Sequence, residues 1–262
     1  MGPRNGSRTT NGSADAAAGG WTTGWRRSAL AAGGAAVALV GPATLAALRV
    51  RRMRNEARSR PMLVLDVELD GIEPQRTVVT LGDSSSAGFR LTDPEQSASR
   101  RIARALHLRD GRATRLRSVA RNGATTSDVL ADQVEAVAGA DIVLLGVGAN
   151  DAKDRIPVDE VEAALRALIV RIRELAAPDV RIVLVGCPDL SVAPGLPRLV
   201  RLGMRPLVRR VSRMQQRVAD EEGVVLVPLP RDQLTRDVFA DDGFHPGPLG
   251  HERVAGRVLT YL

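Results

Sequence analysis

Four short segments carry side chains able to do chemistry together: Gly82-Asp83-Ser84, Gly123, Gly148-Ala149-Asn150-Asp151 and Asp242-Gly243-Phe244-His245-Pro246. The reaction they suit is acyl transfer. A serine hydroxyl is a weak nucleophile at neutral pH, so it needs a base beside it. That base in turn needs a partner that fixes its tautomer and stabilises its charged form. Asp242 and His245, three residues apart and followed by the rigid Pro246, are the candidate partners of Ser84. The chain has three histidines, so the alternatives can be compared directly. His107 closes a helical stretch with no carboxylate motif nearby, and His251 falls inside the last helical pattern, which favours His245 over both. Charge developing on the substrate carbonyl oxygen calls for donors set in place beforehand. The backbone N–H groups of Ser84 and Gly123 and the side-chain amide of Asn150 are of the right kind. Gly123 also lets a substrate approach closely because it has no side chain.

Taken singly, these segments have plain structural readings. Gly82-Asp83-Ser84 can be a strand-to-helix turn capped by serine, and Gly148 to Asp151 a turn with an Asx cap. Their placement along the chain argues for more. Short aliphatic runs at 78–81, 115–119, 141–145, 181–185 and 224–227 read as strands. Amphipathic stretches at 95–106, 127–137, 158–175, 199–219 and 249–262 read as helices. This alternation is the pattern of βαβ units. The expected fold class is therefore α/β: a three-layer α/β/α, flavodoxin-like, doubly wound and mainly parallel five-stranded sheet. Right-handed crossovers put the strand C-terminal ends on one edge, where ligands bind. Ser84 follows the first strand, Gly123 the second and Asn150 the third, while His245 precedes the last helix, so all four reach that edge. A further strand at 63–69 is expected to form a hairpin with 78–81 through Asp70-Gly71. There is no internal repeat.

With these segments in place, TVVTLGDSSSAG, RNGATTSDVL, LLGVGAND and DDGFHPGPLGH resemble blocks one, two, three and five of the SGNH (GDSL-like) hydrolase family. The resemblance spans 77–262. It implies the SGNH hydrolase fold, with Ser84, Gly123, Asn150 and His245 as signature residues and Asp242 completing the triad. It also implies a serine esterase or lipase-type reaction on carboxylic esters through an acyl-enzyme, the substrate being a small-molecule, lipid or carbohydrate acyl ester. A carbohydrate O-deacetylase or a thioesterase would use the same site. Ser85-Ser86 stand where Leu or Tyr is common in the family, so the substrate pocket departs from the usual pattern. Loops at 151–157 and 188–206 are expected to shape it. The apolar residues Leu199, Val200, Leu202 and Met204 read as helix packing, with an acyl channel as the alternative.

Composition narrows the rest. Lys and Arg number 37 against 30 Asp and Glu, a net charge of +7, and Lys153 is the sole lysine. The arginines are scattered over helices, which suits solvated faces. Without RNP patterns, zinc-finger spacing or interleaved aromatics, nucleic-acid binding is not expected. The single cysteine, Cys187, rules out an internal disulfide, and no Cys/His cluster offers a metal site, so no cofactor is expected. There is no Gly-x-Ser-x-Gly elbow and no Walker A loop, and Asp151 stands where a third glycine would follow Gly146-Val147-Gly148. His251-Glu252 lacks the second histidine of a zincin helix. A tethered binding module that kept the fold without activity is the rival of another kind, and the intact Ser84, Asp242 and His245 argue against it.

The N-terminal quarter has a different character. Residues 1–27 are rich in Gly, Ser, Thr and Asn and are expected to be disordered. No charge occurs from 29 to 48, and 20 residues at helical rise cover about 30 Å, enough for one bilayer crossing. With Arg26 and Arg27 before it and Arg49, Arg51, Arg52 and Arg54 after it, 28–48 is expected to be a membrane anchor, or else a signal sequence. An arginine-rich linker at 49–60 would then lead into the hydrolase domain at 61–262.

Overall fold

This computed structural model describes residues 62–262 and, ahead of them, Leu48. The expected disordered segment, the anchor except for its last residue, and the linker lie outside the described residues. Among the described residues no helix is long and apolar enough to cross a membrane.

The strands are β1 (Val67–Leu69), β2 (Ile72–Gly82), β3 (Arg112–Ser118), β4 (Ile142–Gly146), β5 (Arg181–Val185) and β6 (Val225–Val227). They form one sheet in the order β1-β3-β2-β4-β5-β6. The last five run parallel, and β1 is an antiparallel edge. Among the parallel strands the spatial order is second, first, third, fourth, fifth, which is the doubly wound, flavodoxin-like arrangement. The helices are α1 (Ala98–Asp110), α2 (Thr126–Asp132), α3 (Ala149–Asp154), α4 (Val158–Leu175), α5 (Arg198–Glu222) and α6 (Pro248–Leu259).

Strand alternation sorts the core into two layers. Val143 and Leu145 of β4 join Leu165, Leu168, Ile169 and Ile172 of α4 on one face, while Ile142 and Leu144 join Ile102 of α1 and Val258 of α6 on the other. A strand buried on both faces has no polar positions to alternate, which is why these strands read as continuous aliphatic runs.

Some expectations are corrected. The strand after residue 63 does not pair with β2. It pairs with β3, Val67 opposite Leu116, and only Val67–Leu69 are extended in the sheet. The cause is spatial: β3 lies between β1 and β2, and the link passes over the start of β3. A Cβ on Gly71 would come within 2.3 Å of the Gly111 carbonyl oxygen. The stretch 127–137 is not one helix, since α2 ends at Asp132 and a 3-10 turn, Val134–Val137, follows. The expected loop at 151–157 begins inside α3, and 188–206 resolves into a 3-10 turn, Leu190–Val192, and the first turns of α5. There Met204 is buried and Val200 packs on the core, while Leu199 and Leu202 are exposed, so this stripe is helix packing.

Candidate active site

Ser84 stands where β2 leaves the sheet. Asp83 still pairs with β4, its N–H donating to the Gly146 oxygen at 3.1 Å. The chain then winds into turns, with Ala87 N–H bonded to Asp83 O and Phe89 N–H to Ser84 O, both at 2.9 Å. No helix follows directly, so serine capping is not its role. Gly82 makes the departure possible: its φ is +139°, and a Cβ would lie 2.2 Å from Gly146 O. Between β2 and β4 the strand order reverses, and ligands in doubly wound sheets bind at that crevice. Burial raises the pKa of Asp83, opposed by a hydrogen bond from Ser85 N–H and by the charge of His245.

Asp242 and His245 lie on the loop before α6. The carboxylate Oδ2 sits 2.6 Å from His245 Nδ1, and Oδ1 accepts the N–H groups of Phe244 at 2.9 Å and His245 at 3.0 Å. One carboxylate thus folds its own loop and holds the imidazole. Burial pushes Asp242 up, but the bond to His245, its charge and the two backbone donors outweigh this and hold the carboxyl at about 2. The imidazole meets Phe89 and Phe244 edge-on, with ring centroids 4.6 and 4.9 Å away. Arg90, which sequence reasoning passed over, donates from Nε to Asp242 Oδ2 at 3.1 Å. It carries no motif, and its positive φ of 76° is invisible in the sequence.

Asn150 occupies the first turn of α3, entered through Gly148 at φ +102°. Its amide is oriented from both ends. Lys153 Nζ donates to Oδ1, and Nδ2 donates to Ala124 O at 3.0 Å, so the second Nδ2 hydrogen is the one left for a ligand. Asp151 buries its carboxylate against the Thr126 N–H at 3.1 Å, and this burial raises its pKa. Asn150 and Asp151 together therefore fasten the loop that contains Gly123, whose φ is +81° and which has open space where a Cβ would be.

Ser84, Asn150 and His245 line one cavity of about 160 Å³. Ser84 Oγ and the imidazole share it without a direct hydrogen bond, a looseness common before substrate binds. Asp242, paired with His245, and Gly123, next to the Ala124 whose oxygen accepts from Asn150, do not line it. Of the expected pocket loops, Pro188 to Leu190 reach the cavity wall and 151–157 do not. His107 is elsewhere, its Nδ1 on the Arg112 carbonyl. His251 lines the cavity but has no carboxylate; its Nδ1 accepts the Ala98 N–H at 3.3 Å. Cys187 is buried, which pushes its thiol up and leaves no thiolate at neutral pH. Among the described residues no group of three or more His, Cys, Asp or Glu could hold a metal.

A family model described as GDSL-like lipase/acylhydrolase matches residues 80–253. A GDSL-like esterase of Mycobacterium tuberculosis is 30% identical over 196 residues, 71% of this chain and 61% of that protein. The chain thus spans about three fifths of that relative's length. Among solved structures, TesA superposes with a TM-score of 0.57 at 21% identity, covering 71% of this chain and 97% of that one. An acetylxylan esterase from Geobacillus stearothermophilus gives 0.56 at 19%, covering 71% and 93%. These two show likeness of fold.

Proposed function

Because the chain belongs to the GDSL-like lipase/acylhydrolase family, we propose that it is a serine esterase that cleaves carboxylic esters through an acyl-enzyme on Ser84. The observation that carries this is the 2.6 Å pairing of Asp242 with His245 Nδ1 at a cavity that also holds Ser84. With Nδ1–H donated to Asp242, the Nε2 lone pair is left to act as base. Ser84 Oγ attacks the ester carbonyl carbon as its proton passes to His245 Nε2. The oxyanion takes hydrogen bonds from the Ser84 and Gly123 N–H groups and from Asn150 Nδ2. Collapse breaks the bond to the alcohol oxygen, which leaves with the proton from His245. Water then gives a proton to His245 and its oxygen to the acyl carbon, releasing the acid and restoring Ser84.

The cavity also bears on the substrate. An acetyl group brings only one methyl into a wall that includes Ile102, Leu144, Val254 and Val258, which favours longer acyl groups over O-deacetylation. Hydrolysis of p-nitrophenyl esters tests the reaction. Ser84→Ala should lower kcat/KM by at least about 10³ and abolish labelling by a fluorophosphonate, and Asn150→Ala should cost about 10². Undiminished turnover in Ser84→Ala sinks the proposal. The charge-free run at 29–48, bordered by arginines on both sides, supports tethering to a bilayer. Carbonate extraction of membranes from producing cells tests it, and release of the protein into the soluble fraction counts against it.

A further inference from the structure

The excess positive charge of the chain is concentrated on one helix. Between Asp189 and Asp220 there is no acidic residue, and seven arginines fall there, from Arg198 to Arg217. The 30 basic residues elsewhere are matched by 30 acidic ones, so this stretch of α5 accounts for the net +7.

Helical periodicity sorts α5 into two faces. Met204, Val208, Val211 and Gln215 are buried against the core. On the opposite side Arg198, Leu202, Arg205, Arg209 and Arg213 follow one another three or four residues apart, all exposed, in a stripe about 22 Å long. Leu202 is 65% and Leu199 beside it 70% exposed. Arginines on other surfaces pair with carboxylates: Arg171 with Glu135, Arg173 with Glu222 and Arg217 with Glu162. The four arginines of the stripe have no acidic partner among the described residues. Like charges four apart, as in Arg205-Arg209-Arg213, weaken a helix, and bound anions relieve that repulsion.

The stripe begins near the active site. Gly195, three residues before α5, donates its N–H to the oxygen of Gly243 at 2.7 Å, next to Asp242. Leu199 and Leu202 lie in the first two turns, so the apolar end of the face stands at the sheet edge that carries Ser84.

Such a face needs anions for its arginines and an apolar phase for its leucines. Nucleic acid meets the first need only, and the stretch 190–219 has no aromatic on which bases could stack. Phospholipid meets both, because guanidinium groups bind phosphate bidentately and the headgroups can move to match their spacing. We propose that this face of α5 docks on an anionic phospholipid surface, with Arg198, Arg205, Arg209 and Arg213 on the headgroups and Leu199 and Leu202 dipping into the interface. The proposal depends neither on the esterase reaction nor on tethering through 29–48.

A fluorescent probe on the face tests it in the full-length chain, because it reports local contact even where another segment holds the protein on the vesicle. Leu199→Cys is labelled with a nitrobenzoxadiazole; Cys187, 6% exposed, is shielded from the reagent. Vesicles of phosphatidylcholine with phosphatidylglycerol should shift the emission to the blue, and phosphatidylcholine alone should not. Raising salt from about 0.05 to about 0.5 M, which shortens the Debye length about threefold, should reverse the shift. Exchanging the four stripe arginines for Gln should raise the lipid concentration at the midpoint by about 10²- to 10³-fold, with turnover of a soluble p-nitrophenyl ester unchanged. The same probe at the exposed Leu108 of α1 should stay silent, and Leu202→Cys supplies a second reporter on the face. No shift at either leucine, equal shifts on both kinds of vesicle, or a midpoint indifferent to the four arginines overturns the proposal. A shift with an RNA oligonucleotide and none with vesicles gives the face to nucleic acid and overturns it too.

Discussion

The side-chain amide of Gln133 brackets Gly82, accepting its N–H at 2.8 Å and donating to its carbonyl oxygen at 3.0 Å. Pairing of β2 with β3 ends at Thr80 opposite Ser118; beyond it the Gly82 oxygen still accepts the Arg121 N–H at 3.0 Å, and the amide supplies the acceptor for the Gly82 N–H two residues before Ser84. Gln215 does the same on the other side of β4, donating to Val147 O at 3.0 Å and accepting Cys187 N–H at 2.8 Å. Two buried glutamines, Gln133 just after α2 and Gln215 within α5, thus finish the C-terminal edge of the sheet. Gln133→Leu strands the buried Gly82 N–H at about 1–3 kcal/mol, while the Gly82 oxygen keeps the Arg121 N–H at 3.0 Å. It should lower the free energy of unfolding in urea by about 1–3 kcal/mol and reduce ester turnover in the folded fraction. A variant with unchanged midpoint would show that the bracket is dispensable.

Gly82 and Gly123 both have positive φ, yet they should respond oppositely to alanine. At Gly82 the new Cβ meets the Gly146 carbonyl oxygen at 2.2 Å and Ser86 Oγ at 2.6 Å, so β2 and β4 would have to separate. Nothing lies within 4 Å of the corresponding position at Gly123. Gly123→Ala should cost only the left-handed backbone strain, about 1–2 kcal/mol, while Gly82→Ala should cost more than about 3 kcal/mol or fail to fold. Thermal melts of the two purified variants check the ranking, and equal losses would contradict it.

Asp242→Asn separates the folding and chemical duties of one carboxylate. Its Oδ1 counterpart can still take the Phe244 and His245 N–H groups, so the loop should survive. An amide NH₂ facing His245 Nδ1 instead turns the imidazole to the tautomer that cannot act as base. Turnover should fall by about 10³ to 10⁴ while the protein still folds, its melting temperature lowered by the loss of the Arg90 ion pair to Oδ2. A mild loss of activity, under about tenfold, would remove Asp242 from the proposed triad.

The parallel sheet was legible in the sequence because its strands are buried on both faces, so Ile142-Val143-Leu144-Leu145 and Ile182-Val183-Leu184-Val185 read as unbroken aliphatic runs. The loops bearing Ser84, Asn150 and His245 were legible because strand and helix order alone delivers them to one edge. Pairing partners were not: Asp70-Gly71 looks like a hairpin turn, and only the insertion of β3 between β1 and β2 prevents one. Gln133, Gln215 and Arg90 were silent for a related reason. A polar side chain on a helix or in a loop reads as solvated unless the backbone it will meet is known, and their partners lie 51, 28 and 152 residues away.

His251 should leave its mark on stability against pH. Its pKa is about 4 in the fold against an ordinary 6.5. The unfolded chain therefore takes up this proton as pH falls through 6.5, while the folded protein does so only near 4. Across that window the unfolded state binds more protons, so the contribution of His251 is fully present above pH 6.5 and is lost as pH falls towards 4, with a span on the order of 3 kcal/mol. The carboxyl of Glu95, held at about 2 by Arg104 and Arg100, loses its contribution lower, below its ordinary 4.5. In His251→Gln the amide oxygen can still accept the Ala98 N–H but nothing titrates. Urea midpoints measured between pH 7 and pH 4.5 should fall more steeply for the wild type than for this variant. Parallel curves would show that the ring is not held neutral by its burial.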